Sequence, residues 1–384
     1  MIENMYVGVQ NEAKNVIKAY VGAENHASLM YEGYDPRKIF GAEWAGNTSS
    51  SWVRTDDAVG FGEPSPAKNN GTGKSPFDKI LPWSGMRVVE DEEAGTLVSI
   101  PKFYYKWTRD GTSMKLQISM RQHEGFLCSP AHADRGDGAG ERDIVYVARY
   151  HCSSSDYKST TGVKPKESMS RANFRTNIHN LGSSIWQYDY AMYWTICMLY
   201  LVEFADWNSQ AKIGYGCGNN RSVENMGSTD AMTYHTGTNA ASRNTYGHTQ
   251  YRYIEDLWGN VFDWCDGIYF KPLTVYGIKN PANFSDITGG TDIGTRASAS
   301  NCIQAWTNPS VRGFEYALYP SAVVSDTNYS TYVADECEYD SAGVVLCVGG
   351  YYYQSQNYGL FFTSGKRANS YYSAYNGSRL MKLP

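Results

Sequence analysis

The sequence has little of what marks a nucleic-acid-binding or membrane protein. Charged residues make up only 19% of the 384 residues and the net charge is −5, so neither a basic surface for nucleic acid nor a disordered acidic tail is predicted. The longest mainly apolar run, residues 193–204, is shorter than the about 20 apolar residues that a membrane-spanning helix needs. The first residues contain no apolar core of a signal peptide. We therefore expect that the protein does not insert into a membrane and that it is made in a reducing cytoplasm.

The sequence also lacks the spacing of cysteines and histidines that a zinc site requires. Its eight cysteines include no C-x-x-C pair, and no two histidines stand at ligand spacing. The thiols are therefore predicted to be mostly free and buried, and a zinc site is not expected. Five scattered histidines are each interpreted as structural: His123, His151, His179, His235 and His248.

Tyrosine and glycine, by contrast, are abundant, with 32 and 37 residues against only 13 prolines. Residues 349–379 combine tyrosine, serine, asparagine and glycine with almost no aliphatic residues. This composition is typical of binding surfaces, because tyrosine gives broad contact area at low entropic cost while the small polar residues adapt to the partner. A solvated tyrosine-rich loop is the alternative. The predicted contact residues are Tyr351, Tyr352, Tyr353, Ser355, Asn357, Phe362, Ser364, Tyr371, Ser373 and Tyr375.

The chain is predicted to have three parts. Tyr-Val-Gly occurs at residues 6–8 and again at residues 20–22, which predicts two hairpin-like units in a small β-rich appendage over residues 1–33. Residues 34–90, rich in glycine, serine, asparagine and proline, predict a loop-rich connector. Residues 91–384 are predicted to form the main domain. The appendage would serve attachment to a larger particle or oligomerisation.

Within the main domain, alternating residues around Asp110-Gly111 predict a hairpin of residues 103–107 with residues 114–119. Helices are predicted over residues 166–179, with Ser168 or Ser170 as the cap, and over residues 186–207 as a buried spine. Residues 343–348 predict the final strand. The predicted class is α+β, with few helices and many loops.

One internal motif, DLWGNVFDWCDG over residues 256–267, resembles the G-N-V-W-E-W signature of C-type-lectin-like folds of the formylglycine-generating-enzyme type. Phe262 and Asp263 stand where that family usually has Trp and Glu. The resemblance implies the C-type-lectin-like fold for residues 91–384. Physically, Gly259 and Asn260 suit a tight left-handed turn that Trp258 and Trp264 could pin to a core.

In enzymes of that family the corresponding turn helps to bind calcium. Carried over to this sequence, the resemblance implies oxygen ligands from Asp256, Gly259, Val261 and Asp263, a set that suits a hard cation. The alternative is a metal-free turn in which Asp263 accepts hydrogen bonds from backbone amides. Calcium is thus a candidate cofactor, and no cofactor is required.

The C-terminal block has a second resemblance. VGG at residues 348–350, GLF at 359–361 and GSRL at 377–380 resemble the closing block of variable proteins diversified by retroelements, which share this lectin fold. In those proteins, adenine mutagenesis scatters residue types over a fixed frame of glycines and an arginine. The resemblance implies a variable region over residues 349–384.

Three further segments look like parts of phage or prophage tail and virion proteins: SPFDKILPW at residues 75–83, IPKFYYK at 100–106 and LVEFADWN at 201–208. The resemblance implies a receptor-binding protein that is carried on the virion tail. Its expected partners are a host cell-surface receptor, protein or glycan, and other tail components, with a homotrimer as the first expectation for the oligomer. A fixed structural tail protein, whose C-terminal face is an assembly contact, is the alternative.

An oxidase of the formylglycine-generating type is less favoured, and the protein is predicted not to be an enzyme. Those oxidases bind copper through a pair of cysteines in the C-terminal block, because a pair of soft thiolates selects Cu(I). Here Cys347 precedes the block, and no cysteine occurs in residues 348–384.

Overall fold

The computed structural model describes residues 35–219, 222–325 and 330–384, together with the backbone of four strands before residue 35. These strands are β1 (Tyr6–Val9), β2 (Glu12–Asn15), β3 (Lys18–Ala23) and β4 (His26–Glu32). β1 pairs with β2, and β3 with β4, both antiparallel, as the Tyr-Val-Gly repeat predicts. Residues 1–5 and those between these strands lie outside the described part, and the role of residues 1–33 stays a prediction.

Two five-stranded sheets follow, and the second includes the C-terminus. The strands in this part of the chain are β5 (Ile39–Trp44), β6 (Trp52–Asp56), β7 (Ala67–Lys68), β8 (Arg87–Asp91), β9 (Gly95–Pro101), β10 (Tyr104–Asp110), β11 (Ser113–Ser119), β12 (Leu127–Cys128) and β13 (Ile144–Ala148). All but β7 belong to these two sheets. One sheet has the order β12-β10-β11-β5-β6. Its β10–β11 pair is the predicted hairpin, with Asp110 opposite Ser113.

The described residues contain three α-helices, with a short strand between the first two. They are α1 (Arg171–His179), β14 (Ile185–Gln187), α2 (Tyr190–Phe204) and α3 (Ser209–Lys212). α1 begins later than predicted, because Ser170 is the cap and its Oγ accepts a hydrogen bond from the Asn173 amide at 3.3 Å. α2 is shorter than predicted at both ends. Short 3₁₀ turns occur at Trp83–Gly85 and Pro281–Asn283.

α2 is the buried spine that the sequence predicts. Asp189 caps its first turn by accepting from the Met192 amide at 2.8 Å, and the left-handed Ala205 ends it. All fifteen of its residues are buried, which explains why apolar residues occur on every face rather than in one stripe. The helix packs against β5, β11 and the later strand β18.

The remaining strands complete a four-stranded sheet that contains β7, build a nine-stranded sheet, and add β27 to the second five-stranded sheet. They are β15 (Gly237–Thr238), β16 (Thr249–Tyr251), β17 (Ile254–Glu255), β18 (Phe262–Lys271), β19 (Thr274–Gly277), β20 (Thr291–Thr295), β21 (Asn301–Trp306), β22 (Pro320–Val324), β23 (Glu336–Tyr339), β24 (Val345–Val348), β25 (Thr363–Arg367), β26 (Asn376–Gly377) and β27 (Leu380–Lys382). The large sheet runs β20-β19-β18-β24-β25-β23-β21-β22, with β26 on β18. β24, predicted as the final strand, is followed by three more.

The predicted boundary between connector and main domain at residue 90 does not coincide with a boundary between sheets. The predicted connector contributes β5 and β6, and β5 pairs with β11 of the predicted main domain. β8 crosses the predicted boundary and pairs with β9. At the other end of the chain, β27 lies between β13 and β14 in the order β14-β27-β13-β9-β8. The described parts of the predicted connector and main domain are thus joined by shared sheets, in a mostly β architecture with few helices.

Candidate ligand-binding face and its support

The predicted contact residues do not lie on one uniform surface, and the best-defined group is an aromatic layer around Tyr351. Its ring centre lies 4.7 Å from that of Tyr375 and 4.8 Å from that of the buried Phe262. Tyr353 lies further out, 6.5 Å from Tyr351 and nearly parallel to it. Offset ring contacts of this kind are each worth about 0.5–1.5 kcal/mol beyond area burial. Tyr353, the outermost of these rings, is therefore supported by packed aromatic side chains.

A second part of the layer is held by Arg367. Its guanidinium lies 4.5 Å from the ring centre of Tyr371 and 5.9 Å from that of Tyr375, and the hydroxyls of these two tyrosines are hydrogen-bonded to each other. Burial raises the pKa of Tyr351 to about 12, with Tyr375 and Glu338 adding to the effect. The Tyr351 hydroxyl therefore stays protonated and can donate a hydrogen bond at neutral pH.

The block presents two aromatic side chains to solvent. Tyr353 is 61% exposed and Tyr372 is 64% exposed, and every other aromatic residue in the described part of the chain is buried or half-buried. Tyr352, Tyr371, Ser373 and Tyr375 are half-buried, and Ser355 is exposed. Large aromatic side chains are usually at least half-covered in a folded chain, so two exposed tyrosines in one block are informative.

Three predicted contact residues lie in the interior instead. Phe362 stacks on Phe262 at 5.5 Å and has no exposed surface. Ser364 is buried in β25, where its Oγ donates to a Glu338 carboxylate oxygen at 3.2 Å. Asn357 is buried and donates to Glu336 at 2.8 Å. Composition alone does not separate these residues from the surface ones, because the strand β25 and the turn before it pass beneath the face.

The GSRL segment forms the anchor under the block. Arg379 is fully buried and its Nε donates to Asp263 at 2.8 Å. Its remaining nitrogens donate to four backbone carbonyls, of Ala148, Arg149, Glu255 and Asp256, at 2.9 to 3.4 Å. One guanidinium thus joins the end of β13, the end of β17 and the start of β18 to the C-terminal strand.

Asp335 anchors the middle of the block. Its two carboxylate oxygens accept from the amides of Gly359 and Phe361 at 2.9 and 2.8 Å. Burial raises the pKa of Asp335 to about 7, although these amide bonds favour the charged form. The GLF turn is therefore positioned by one buried carboxyl.

The turn after β17 supports residues 351–353, which form the first half of the tyrosine-rich C-terminal face. Asn260 has φ 62°, as the sequence predicts for a left-handed turn, and its carbonyl accepts from the Tyr352 amide at 2.9 Å. Gly349, with φ 69°, packs so closely that a Cβ would lie 2.5 Å from the Leu257 carbonyl oxygen. Only glycine fits there. The motif and the face are thus one structural unit.

The two carboxylates among the four predicted calcium ligands, Asp256 and Asp263, each have another partner. Asp256 accepts from His248 Nδ1 at 2.6 Å, whereas Asp263 is paired with Arg379. Asp263 is absent from the groups of convergent metal-ligating side chains within the described residues. Gly259 donates its amide to the Gly350 carbonyl at 2.9 Å, and the Val261 side chain packs against Gly377. Binding calcium between the two aspartates would have to compete with a fixed guanidinium.

Sequence reasoning missed two residues of the face, Tyr372 and Arg367. Tyr372 lies within the same tyrosine-rich block, so composition could have included it. No sequence pattern indicated that Arg367 belongs to the face, because its position over Tyr371 follows from the pairing of β25 with β24.

All eight cysteines are free, and all but the half-buried Cys128 are buried, as predicted. No protein-family model matches this chain, and no curated protein is significantly similar to it. Among the described residues, no helix has both the length and the apolar character needed to cross a membrane.

Proposed function

We propose that this chain is a receptor-binding protein of a phage or prophage tail, and that its C-terminal block binds a ligand on the host cell surface. The observation that carries the proposal is the exposure of Tyr353, which lies on packed aromatic rings, and of Tyr372 in the same block. The phage setting rests on the sequence resemblances, including that to retroelement-diversified lectin-type proteins. No catalytic step is part of this proposal.

The energetic argument concerns preorganisation. Tyr351 and Tyr375 are already packed against each other and Phe262, so little freedom is lost in them when a ligand binds. Tyr353 and Tyr372 then supply apolar area together with a hydroxyl donor, and aromatic anchors of this kind dominate binding energy at protein surfaces. Several copies on one particle would add avidity to a modest single-site affinity.

The first test is the double variant Y353A/Y372A, measured as binding of labelled protein to cells on which the phage grows. Loss of two anchors of about 2 kcal/mol each predicts a decrease in affinity of about a thousandfold when the two losses add, with an unchanged melting temperature. The control V53A/V59A removes two exposed apolar side chains, each 68% exposed, from another part of the chain. This control should bind cells like the wild type.

Unchanged cell binding by Y353A/Y372A would contradict the proposal. If the same variant also failed to assemble into particles, the face would be an assembly contact, as in a fixed structural tail protein. Sequencing the DNA for residues 340–384 across a source population separates the same alternatives. Substitutions confined to adenine positions of a nearby near-copy support a diversified binding face, whereas an invariant segment supports a fixed contact.

A further inference from the structure

A cluster of metal-ligating side chains lies beside the turn that supports the face. Cys217, Glu224 and His248 each direct one donor atom to a common point, and these three atoms lie within 4.8 Å of one another. The three residues are not adjacent in sequence, and no sequence motif indicates that they form a site. Cys217 and His248 are buried, while the Glu224 side chain is 43% exposed. The cluster is thus built on the interior and open on one side.

Backbone pairing fixes two of the three donors. Cys217 forms a bridge with Gly259, and its carbonyl accepts from the Asn260 amide at 2.8 Å. His248 immediately precedes β16, and its carbonyl accepts from the Asn239 amide at 3.0 Å. Glu224 is tied to the same turn, because its amide donates to the Asn260 side chain at 3.0 Å and its carbonyl accepts from it at 3.2 Å.

The imidazole of His248 is oriented as metal-binding histidines are. Its Nδ1 lies 2.6 Å from an Asp256 carboxylate oxygen, and its Nε2 lies 3.0 Å from Glu224. A carboxylate on one ring nitrogen fixes the tautomer and directs the other nitrogen at the metal. Asp256 is held in turn by the Thr249 amide at 3.2 Å. The orienting residue is therefore itself fixed.

We propose that Cys217, Glu224 and His248 bind one zinc-class divalent cation through Sγ, a carboxylate oxygen and Nε2. Sulfur, imidazole and carboxylate donors together suit zinc rather than calcium, which takes oxygen ligands alone. Binding displaces the Cys217 thiol proton and the proton shared by His248 and Glu224 to solvent. The thiolate and the Glu224 carboxylate then balance the two charges of the cation.

The neighbouring Glu255 is excluded from the ligand set, although it lies within reach of His248 and Asp256. Its two carboxylate oxygens already accept from the Gly227 amide at 2.7 Å and from the Thr229 amide at 2.8 Å. Metal-free, the cluster is a hydrogen-bonded network: burial opposes the charged His248, but Asp256 and the other partners raise its pKa well above the usual value. A bound cation would replace that imidazolium charge.

The proposed metal site lies next to the turn that supports residues 351–353. Asn260 links Glu224 to the face, because its side chain bonds Glu224 and its carbonyl accepts from the Tyr352 amide. A cation that fixes Cys217 and Glu224 would therefore stiffen the turn that carries Tyr351–Tyr353. The site is argued independently of host binding and holds whether or not the face binds a receptor.

The test uses the full chain, free of any histidine tag, stripped with chelator and titrated with Co²⁺ and Zn²⁺ alone. One Co²⁺ per chain is expected, with a thiolate-to-cobalt charge-transfer band, and Zn²⁺ should displace it. C217S should lose the band. E224Q and D256N should each weaken binding by about 10–100-fold, as expected for losing a ligand or its orienting carboxylate.

The matched control is C128S, which changes the half-buried thiol and should leave stoichiometry and band unchanged. Because Glu224 is partly exposed, E224Q should fold normally, and its affinity remains interpretable even if C217S is unstable. Absence of stoichiometric Co²⁺ binding by the wild type, or equal affinity and the same band in C217S or E224Q, would overturn the proposal. Metal content is the readout, so failure of the receptor-binding proposal would not affect the result.

Discussion

At the scale of single residues, the buried charges define the C-terminal block more firmly than its tyrosines do. Arg379 satisfies one carboxylate and four backbone carbonyls at once. Burial raises the pKa of Asp263 to about 6, and the adjacent Arg379 counteracts this rise. A buried ion pair of this kind adds little net stability, but removing one partner leaves the other charge without compensation.

We therefore predict that R379M lowers the free energy of unfolding by about 3–5 kcal/mol at neutral pH, because Asp263 is left buried and unpaired. Urea unfolding followed by circular dichroism measures the change. The control R37M removes an arginine from a surface pair with Asp35 and should not alter the unfolding midpoint. A loss below about 1 kcal/mol in R379M would mean that Asp263 is neutral or solvated in the folded chain.

At the scale of structural elements, caps and turns determine where helices begin and how the GLF segment is fixed. The sequence offered Ser168 and Ser170 as caps for α1, and the structure selects Ser170. Ser168 has φ 60° and its amide donates to the Ser373 carbonyl instead. The choice follows from the position of the C-terminal block, which no local pattern encodes.

This difference predicts unequal effects of two similar substitutions. S170A should lower the free energy of unfolding by about 1 kcal/mol, since it removes the acceptor for a helix N-terminal amide. S168A should be close to neutral, because its backbone hydrogen bond does not need the hydroxyl. Thermal or urea unfolding of both variants measures the difference, and equal losses would contradict the assignment of the cap.

The buried Asp335 predicts that the free energy of unfolding depends on pH. The folded pKa of about 7 lies above the value of about 3.9 for an unfolded aspartate, so the folded chain holds a proton that the unfolded chain has lost. The contribution of Asp335 to the free energy of unfolding is then fully present below about pH 4 and is lost as the pH rises through about 7. Asp263, with its pKa raised to about 6, acts in the same direction.

We therefore expect the free energy of unfolding of D335N to decrease less between pH 4.5 and pH 8 than that of the wild type, because the amide cannot lose a proton. Urea titrations at several pH values test this. The substitution D292N, at an exposed aspartate, should keep the wild-type slope. Parallel slopes for wild type and D335N would show that Asp335 is already ionised at pH 4.5.

At the scale of the whole molecule, shared sheets join segments that the sequence divides. β5 from the predicted connector pairs with β11, and the C-terminal β27 pairs with both β13 and β14. Truncation at residue 90 would remove β5 and β6, β7, and most of β8, which belong to three different sheets. The two N-terminal hairpins remain the candidates for attachment or oligomerisation, since short isolated hairpins are marginally stable alone.

The expected trimer predicts a mass of three times the 42.9 kDa chain in light scattering. Removing residues 1–33 should yield a monomer with an unchanged fold if the hairpins hold the subunits together. A monomeric full-length chain would contradict the trimer, and a truncated trimer would place the contact elsewhere.

The sequence by itself determined the local features of this protein: the hairpin at Asp110-Gly111, the buried helix α2, the left-handed turn at Asn260 and the burial of the free thiols. Each depends on periodicity, turn chemistry or composition, which are properties of neighbouring residues. Only the tertiary structure decided which residues of the C-terminal block face solvent, because Tyr353 and Phe362 have similar composition around them, yet Phe362 packs on the buried Phe262 while Tyr353 is exposed. It also brought Cys217, Glu224 and His248 together, since convergence of distant donors depends on how the strands pair, and no local spacing records that.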